Sequence, residues 1–569
     1  MVLIAELLKC AQVAPHIDSR TMKSAIGGLF RSRDARQGMP GWIGTAAIPV
    51  LTLLVTAGFA EDDLEGLEIG RVTLHKSDVF DLSNPEEDRW LFRQANRLHI
   101  DTRDATIRKH LLFKSGEPYA KRLVDETERI LRAKKYLYDA DIDATRNPDG
   151  TVDLAVRTRD VWSLSPELSI SRSGGETRSR YGLEENNLLG RGQSLRLFRD
   201  NDIDRSETTI EFGDSHLGRS WVSAFLRYSD NSDGDSYLVS VARPFYALDT
   251  RWSAGGSIYG DDRRTPLYAF GEEAAEYRHK RDYASLHGGI SRGLRNGRVW
   301  RWTAGVVHDD NRFLAVDDPT LPAVIPADRK LVYPFLGFEL VEDKYVTASN
   351  HDQMSKTEDF QIGLRVSGTI GWSDETLGAD RDALIFRAQA SRGFGSLEST
   401  GLLLSVSANG RIENGNARNS ELLLNARFYH RQSEKQLFFA MLSGTAGHAL
   451  DLDNPVEIGG KTGLRGYPLR YQVGDSRLLA TIEQRYFTDW YPFRFARVGG
   501  AVFADAGRVW GSNPLGPDYR GWLADVGVGL RFALTRVSDR VVHIDLAFPL
   551  NGDSSIDDMQ ILLESRGSF

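Results

Sequence analysis

Hydrophobic residues alternate with polar ones through most of the chain after residue 161. The clearest case is close to the C-terminus, where each even position is apolar: Val542, Ile544, Leu546, Phe548 and Leu550. Successive side chains of a strand point to opposite faces, so this pattern gives each strand one apolar and one polar face. We therefore predict antiparallel β-structure over residues 161–569.

Two architectures fit so long a run of two-faced strands. Soluble sandwich proteins of this length normally divide into separate domains. A transmembrane barrel turns its apolar face to lipid and its polar face to a watery lumen, which accounts for the whole run at once. The pattern favours a transmembrane antiparallel β-barrel.

Residues 61–160 follow a mixed pattern. Apolar residues recur at helical spacing over 118–134, which predicts a helix with Pro118 near its first turn. Two alternating segments on either side of a turn at 147–150 predict a β-hairpin. Together with a strand predicted at 71–80, these elements make a small α+β domain.

One long apolar run, residues 42–60, lies near the start of the chain. Basic residues precede it, and the acidic residues 61–63 follow it directly. A basic region, a short apolar core and a small-x-small end are typical of a secretory signal, here cut after Ala60. We expect 1–60 to be a leader, with Met22 as an alternative start. A single membrane anchor is the other interpretation, but Pro49 and the short core argue against it.

Composition excludes several classes of protein. The chain has 71 Lys+Arg against 79 Asp+Glu, a net charge of −8, which argues against nucleic acid as the main partner. A charged fraction of 26% excludes a bundle of membrane helices. The only cysteine, Cys10, lies in the predicted leader. A chain without that leader has no disulfide, cysteine-ligated zinc or cysteine nucleophile.

Catalytic motifs are incomplete. Asp214-Ser215 imitates a serine-hydrolase block, but it lies in a strand-like region and no matching Asp-x-x-His follows near the end. Residues 460–462 imitate the end of a phosphate loop, yet Pro455 stands where the first glycine is required. Acidic pairs such as Asp309-Asp310 and 261–262 are expected in solvated loops, where contact with calcium or lipopolysaccharide stays open. We expect no enzyme activity, no metal and no cofactor.

Two further segments resemble motifs of the BamA/TamA superfamily of outer-membrane barrels. The first is Gly463-Leu464-Arg465-Gly466-Tyr467, which is similar to the family's Val-Arg-Gly-Phe/Tyr motif on a loop that folds back into the lumen. The second is Phe503-Ala504-Asp505-Ala506-Gly507, which is similar to the family's Phe-x-Asp-x-Gly strand. Glu483 lies between them, where such barrels carry an acidic partner for the loop arginine.

Strand parity supports this resemblance independently. Glu483 shares a face with Thr481 and Arg485, and Asp505 shares a face with Phe503, so both carboxylates are predicted to point into the lumen. An arginine on a loop inside a confined lumen needs carboxylate partners, because burying an unpaired guanidinium costs free energy. We therefore expect Arg465 to pair with Glu483 and Asp505.

The two ends of the mature chain extend the resemblance. A final alternating strand closes on Phe569, which in outer-membrane barrels is the signal to the barrel assembly machinery. Residues 103–160 resemble one POTRA domain, and 64–100 leave room for an incomplete second. The resemblance implies an α+β POTRA domain in the periplasm, followed by a transmembrane antiparallel β-barrel of about 16 strands.

The resemblance also implies a function. Such a protein would insert client polypeptides into the outer membrane, or export them, without covalent catalysis. The POTRA hairpin and the barrel seam would bind the client, and the barrel would contact lipid and lipopolysaccharide. The alternatives are a two-partner secretion pore, which typically has two POTRA domains and a plug helix, and a structural barrel with no transport role. No plug helix is evident in the sequence.

Overall fold

The computed structural model describes residues 64–173, 175–316, 324–512, 521–536, 540–553 and 556–566. The predicted leader, residues 1–60, and the predicted terminal signal, Phe569, lie outside these residues. No helix in the described ranges is long and apolar enough to cross a membrane.

An α+β domain comes first. Its strands and helices are β1 (Ile69–Ser77), α1 (Trp90–Leu98), α2 (Asp104–Arg108), α3 (Lys121–Arg132), β2 (Leu137–Arg146) and β3 (Val152–Asp160). The central strand β3 runs parallel to β1 and antiparallel to β2.

The core of this domain follows from the two periodicities of its sequence. Val124 and Leu131 recur on one side of α3, and both are buried. They belong to the same apolar cluster as Leu154 and Val156, which occupy alternate positions of β3. Burying each of these side chains contributes about 1.5–3 kcal/mol, which is what holds α3 on the sheet.

The remaining strands, in chain order, are β4 (Leu164–Ser173), β5 (Glu176–Glu185), β6 (Gln193–Asn201), β7 (Ser206–Asp214), β8 (Ser223–Asn231), β9 (Gly234–Arg243), β10 (Trp252–Ala269), β11 (Glu272–Arg295), β12 (Arg298–Ala315), β13 (Arg329–Glu342), β14 (Tyr345–Ser349), β15 (Thr357–Gln361), β16 (Arg365–Ser373), β17 (Ala383–Ser396), β18 (Thr400–Glu413), β19 (Asn416–Ser433), β20 (Gln436–His448), β21 (Val456–Ile458), β22 (Gln472–Gly474), β23 (Ser476–Phe487), β24 (Ala496–Trp510), β25 (Leu523–Leu534), β26 (Val541–Pro549) and β27 (Gln560–Arg566). The short pairs β14–β15 and β21–β22 form separate hairpins. All the others close into one antiparallel barrel, in which β27 pairs with β4.

The expected strand number of about 16 is wrong. Counted over the residues that the structure describes, the barrel has 20 strands. Several connections are very short: residues 296–297 alone join β11 to β12, and 434–435 alone join β19 to β20. Short connections fit more strands into the same length of chain, and the alternating pattern does not fix how many.

The outer surface of the barrel is apolar in its middle and aromatic at both ends. Exposed aliphatic residues on the strands include Leu286, Leu336, Ile370, Leu422 and Ile482. Exposed aromatic residues at the end that joins the α+β domain are Trp252, Trp300, Phe394 and Tyr486, and those at the opposite end are Trp372, Trp510 and Trp522. An apolar band between two aromatic girdles is the surface of an outer-membrane barrel, so the sandwich alternative is excluded.

The acidic pairs expected in solvated loops lie in strands instead. Asp262 is in β10 and Asp309 is in β12. Their carboxylates accept hydrogen bonds from Arg278 at 2.7 Å and from Arg281 at 2.8 Å. The expectation was wrong because β10 has 18 residues and β11 has 24. A strand needs only about 9–11 residues to cross a bilayer, so these strands carry charged residues well beyond the lipid.

The α+β domain contacts the turn between β7 and β8 through two buried histidines. His110 Nε2 lies 2.8 Å from the Tyr136 hydroxyl, and the His110 and His216 ring centroids are 4.4 Å apart. Burial holds the pKa of His110 well below its usual value, and burial lowers the pKa of His216 to about 4. Both histidines are therefore neutral in the docked domain.

This contact predicts a weakening of domain docking in mild acid. When the domain separates, His216 loses the burial that lowers its pKa, regains an ordinary pKa of about 6.5 and binds more protons than in the docked state between pH 4 and pH 6.5. The free energy of docking should therefore fall as the pH falls through this window. Hydrogen exchange in β2 and α3, compared at pH 7 and pH 5, measures this free energy of docking. His216→Gln should reduce the difference between the two pH values. An equal pH dependence in that variant would contradict the assignment.

Candidate functional site

The candidate site is built by the long connection between β20 and β23, residues 449–475, which folds back into the lumen. Glycine is required where this loop meets the barrel wall. Gly463 has φ +107°, and a Cβ there would lie 2.3 Å from a Leu479 methyl group. A Cβ on Gly466 would lie 2.8 Å from the Cβ of Asp525. The glycines flanking Leu464 and Arg465 thus allow the loop backbone to lie against the wall.

Arg465 is the centre of the site, with only 5% of its surface exposed. Its Nε and Nη2 donate to the two carboxylate oxygens of Asp505 at 2.7 and 3.1 Å, and its Nη1 donates to Glu483 Oε1 at 2.9 Å. The guanidinium carbon lies 3.4 Å from the ring centroid of Phe503. The structure thus brings together the loop arginine, both predicted acidic residues and the first residue of the strand motif.

The other predicted residues surround this pair. Leu464 and Tyr467 are fully buried in one apolar cluster with Ile458 and Leu479. A Cβ on Gly507 would lie 2.6 Å from the Cδ1 of Ile458, so this position in β24 leaves room for the loop. Phe569 lies outside the described residues.

Two further carboxylates belong to the site and were missed in the sequence. Asp545 Oδ2 lies 3.5 Å from Arg465 Nη1, and Asp525 Oδ2 accepts a hydrogen bond from the Gly466 N–H at 3.0 Å. Both residues occupy the polar parity of their strands, β26 and β25, between apolar neighbours. That parity could have identified them, because it is the same signal that identified Asp505.

The loop is also fixed beyond Arg465, at the last strands of the barrel. The Tyr467 hydroxyl lies 2.6 Å from Asn551 Oδ1 and accepts a hydrogen bond from the Ala524 N–H at 3.1 Å. Asn551 belongs to the connection that leads from β26 to β27. The same five-residue motif therefore contacts β25 and the connection after β26, which lead to β27, the last strand of the barrel.

A second element in the lumen is the β14–β15 hairpin, which lies in the connection between β13 and β16 at the α+β-domain end. Asp352 accepts hydrogen bonds from Arg427 and from the Tyr429 hydroxyl, each at 3.1 Å, and these two residues lie on the inner face of β19. Met354 is buried in a cluster with inner-face residues of β20, β23, β24, β25 and β26, among them Phe439. The hairpin therefore crosses the barrel mouth from β13 to the opposite wall.

The hairpin joins the α+β domain to the candidate site. Arg132 of α3 forms a two-pronged ion pair with Asp359, at 2.8 and 2.7 Å. On the lumen side, Arg485 donates to the His351 carbonyl oxygen at 2.7 Å and to Glu483 Oε2 at 2.9 Å. Glu483 in turn binds Arg465, so a continuous series of polar contacts runs from α3 to the loop motif. No pattern in the sequence distinguishes this hairpin, because its short strands alternate like any barrel strand.

A cavity of about 740 Å³ remains in the lumen beside Arg465. Its lining is mostly charged and includes Glu167 of β4 and Glu564 of β27, so the cavity reaches both strands of the closing seam. No group of side chains in the described part of the chain is arranged to hold a metal ion. The geometry thus supports a polar lumen partly filled by a loop and a hairpin.

No protein-family model matches the chain, and no curated protein sequence matches it. The solved structures similar to it include BamA from Haemophilus ducreyi lacking POTRA domains 1–3 (13% identity, TM-score 0.37, covering 87% of this chain and 85% of that one). They also include CdiB from Acinetobacter baumannii (14%, 0.44, 88% and 74%) and CdiB from Escherichia coli (13%, 0.43, 88% and 76%). Identity and TM-score at this level carry no argument for a function.

Arg465→Ala tests the central ion pairs. The substitution removes the guanidinium that binds both oxygens of the buried Asp505 and leaves Glu483 paired with Arg485, which should cost about 3–5 kcal/mol. Arg465→Lys keeps the charge but cannot bind Asp505 with two parallel hydrogen bonds, so a smaller loss is expected. The temperature at which the folded barrel unfolds on a semi-native gel measures both.

The matched control is Arg387→Ala, because Arg387 also lies on a barrel strand but is exposed. It should leave the unfolding temperature close to that of the unaltered protein. Equal unfolding temperatures for Arg465→Ala and Arg387→Ala would show that the Arg465 pairs do not stabilise the barrel.

Removing the hairpin tests whether it obstructs the mouth. Replacing residues 345–361 by a short glycine-serine link should raise the single-channel conductance in planar bilayers, because the segment that crosses the mouth is gone. Asp359→Asn, which weakens only the contact with Arg132, should give a conductance between those of the unaltered protein and the deletion. An unchanged conductance in the deletion variant would contradict the obstruction.

Proposed function

We propose that this chain is a barrel of the BamA/TamA type that inserts client polypeptides into the outer membrane, or translocates them across it, without covalent catalysis. The observation that carries the proposal is the closing seam of the barrel. Within the described residues, β27 and β4 share a single residue pair, Leu563 with Arg172. By contrast, β4 and β5 share ten pairs, and β26 and β27 share seven.

A weak seam matters because lipid offers no hydrogen bonds. Each unpaired backbone N–H or C=O of a nascent strand in the bilayer costs several kcal/mol. The facing edges of β4 and β27 carry such groups and could pair with a client strand while the rest of the barrel stays closed. The seam is thus suited to act as a template for strand addition.

The α+β domain is proposed to be one periplasmic POTRA domain over residues 64–160. Residues 64–100 are not proposed as an incomplete second one, because β1 pairs with β3 and Ile69 belongs to the same core as Leu154. Its sheet has the order β1-β3-β2, so strand addition is proposed at the outer edge of β2. A client strand there would displace two side chains of α3, because the Ile142 N–H donates to Glu128 at 2.8 Å and the Ala140 carbonyl accepts from Arg132 at 3.0 Å. Strand addition was expected at both 139–144 and 151–157. It is not proposed at 151–157, because β3 is central and paired on both sides.

The loop motif is proposed to keep the lumen shaped while the seam opens. Arg465 binds residues of β23 and β24, and Tyr467 contacts the connection between β26 and β27. These contacts hold the last strands in place up to the seam. The remaining proposed partners are outer-membrane lipid, lipopolysaccharide and the barrel assembly machinery, the last through the terminal strand that ends at Phe569.

A two-partner secretion pore is the second candidate, and the hairpin favours it. A pore would pass its client through the lumen, and residues 345–361 lie across that path as a plug would. Insertion at the seam needs no displacement of the hairpin, whereas secretion through the lumen does. The two candidates therefore differ in which element must move.

A seam cross-link separates these functions. In a Cys10→Ser background, Arg172→Cys with Leu563→Cys places two thiols on directly paired residues, where a disulfide can form. Oxidation should abolish insertion of a reporter barrel into proteoliposomes if the seam is the template, and reduction should restore it. Secretion through the lumen should survive oxidation.

The control cross-link joins Leu546→Cys to Ile561→Cys, a pair inside the fully paired β26–β27 ladder. It should leave insertion unchanged whether oxidised or reduced. Full insertion with the seam cross-linked would exclude the template role of β4 and β27.

A further inference from the structure

An unusual apolar surface lies on α1, the first helix of the α+β domain. Phe92 is buried and stacks on Phe80, with ring centroids 4.3 Å apart. Trp90, Leu91 and Leu98, in contrast, are 73, 63 and 72% exposed. The helix therefore buries one apolar side in its own domain and leaves other large apolar residues uncovered.

This segment is fixed to the rim of the barrel. Arg536, just after β25, donates to the Val79 carbonyl oxygen at 2.7 Å and to Glu87 Oε1 at 2.5 Å. Arg494, in the turn between β23 and β24, forms an ion pair with Glu86. The stretch that leads into α1 is thus held at the end of the barrel, beside that turn.

The turn between β23 and β24 is itself apolar and exposed. Trp490 and Phe493 are 63 and 65% exposed, and Phe495 is also exposed. They follow Ile482 and Tyr486, which lie on the outer, lipid-facing side of β23 and are exposed. The lipid-facing surface of the barrel therefore continues past the end of the strand into this turn.

We call the exposed apolar residues in and just after α1 and in this turn the rim patch: Trp90, Leu91, Leu98, Ile100, Trp490, Phe493 and Phe495. Basic residues flank its helical part at Arg89 and Arg97, and Arg93 is paired with Asp88. Aromatic and aliphatic residues beside a basic helix face are the composition of a helix that lies in a membrane interface. Tryptophan also prefers the level of the lipid headgroups.

We propose that the rim patch docks the α+β domain on the inner leaflet of the outer membrane, with phospholipid headgroups and the first part of the acyl chains as its partner. Lipid is the occupant because the turn part of the patch directly follows Tyr486 of the aromatic girdle, and the ion pair of Arg494 with Glu86 holds the stretch before α1 at that turn. An exposed patch of this size in water would otherwise be a site of aggregation. Docking fixes the domain beside the mouth, where Arg132 reaches the hairpin.

Spin labels test the proposal in the complete protein. In a Cys10→Ser background, Leu91→Cys and Leu98→Cys each carry a nitroxide, and the protein is placed in nanodiscs of phosphatidylethanolamine and phosphatidylglycerol. Collision with oxygen, which concentrates in lipid, and with a water-soluble nickel chelate reports the depth of each label. Both labels should shift toward oxygen and away from nickel relative to the same protein in detergent-free amphipol.

Lys114→Cys is the matched control, because Lys114 is an exposed residue of the same domain outside the patch. Its label should collide with nickel equally in nanodiscs and in amphipol. If the labels at 91 and 98 behave like the label at 114, the patch does not enter lipid and the proposal is wrong. Labels that are shielded from both oxygen and nickel would indicate a protein occupant and would equally overturn it. Neither result bears on the seam, so the proposed function is tested separately.

Discussion

The interior of this barrel depends on one buried guanidinium. Arg465 binds carboxylates contributed by β23, β24 and β26, and a charge so deeply buried is tolerated only when it is paired and hydrogen-bonded. The need to pair Arg465 fixes the register of these strands, since a slip of one residue would turn Asp505 from the lumen to lipid. It also fixes the loop, because only glycine at 463 and 466 lets the backbone approach closely enough.

The same polar contacts connect the loop motif to the hairpin, and the hairpin to the α+β domain. Glu483 is shared between Arg465 and Arg485, and Arg485 holds the hairpin that lies across the mouth. The hairpin is held from outside the barrel by Arg132 of α3. The hairpin therefore contacts both the α+β domain and a residue that binds the same carboxylate as the loop arginine.

Part of this site is readable in the sequence. Strand parity alone puts Glu483 and Asp505 on the lumen face, because the side-chain period of a strand is two. Glu483 shares its face with Thr481 and Arg485, and Asp505 lies between Ala504 and Ala506. The same reasoning applies to Asp525 and Asp545, which lie outside both sequence motifs. The hairpin at 345–361 could not be found in this way, since its alternation is indistinguishable from that of a strand in the barrel wall.

The sequence by itself determined which face of each strand meets lipid, where the α+β domain gives way to the barrel pattern, and which residue types can meet around Arg465. These features depend on whether each residue faces lipid or water, so they appear in the chain as a short-range alternation of apolar and polar residues. Only the tertiary structure decided that twenty of the described strands close the barrel, that β27 and β4 share one residue pair within the described residues, and that Arg132 meets Asp359. Such features depend on contacts between residues far apart in the chain, and contacts of that kind leave no local pattern to read.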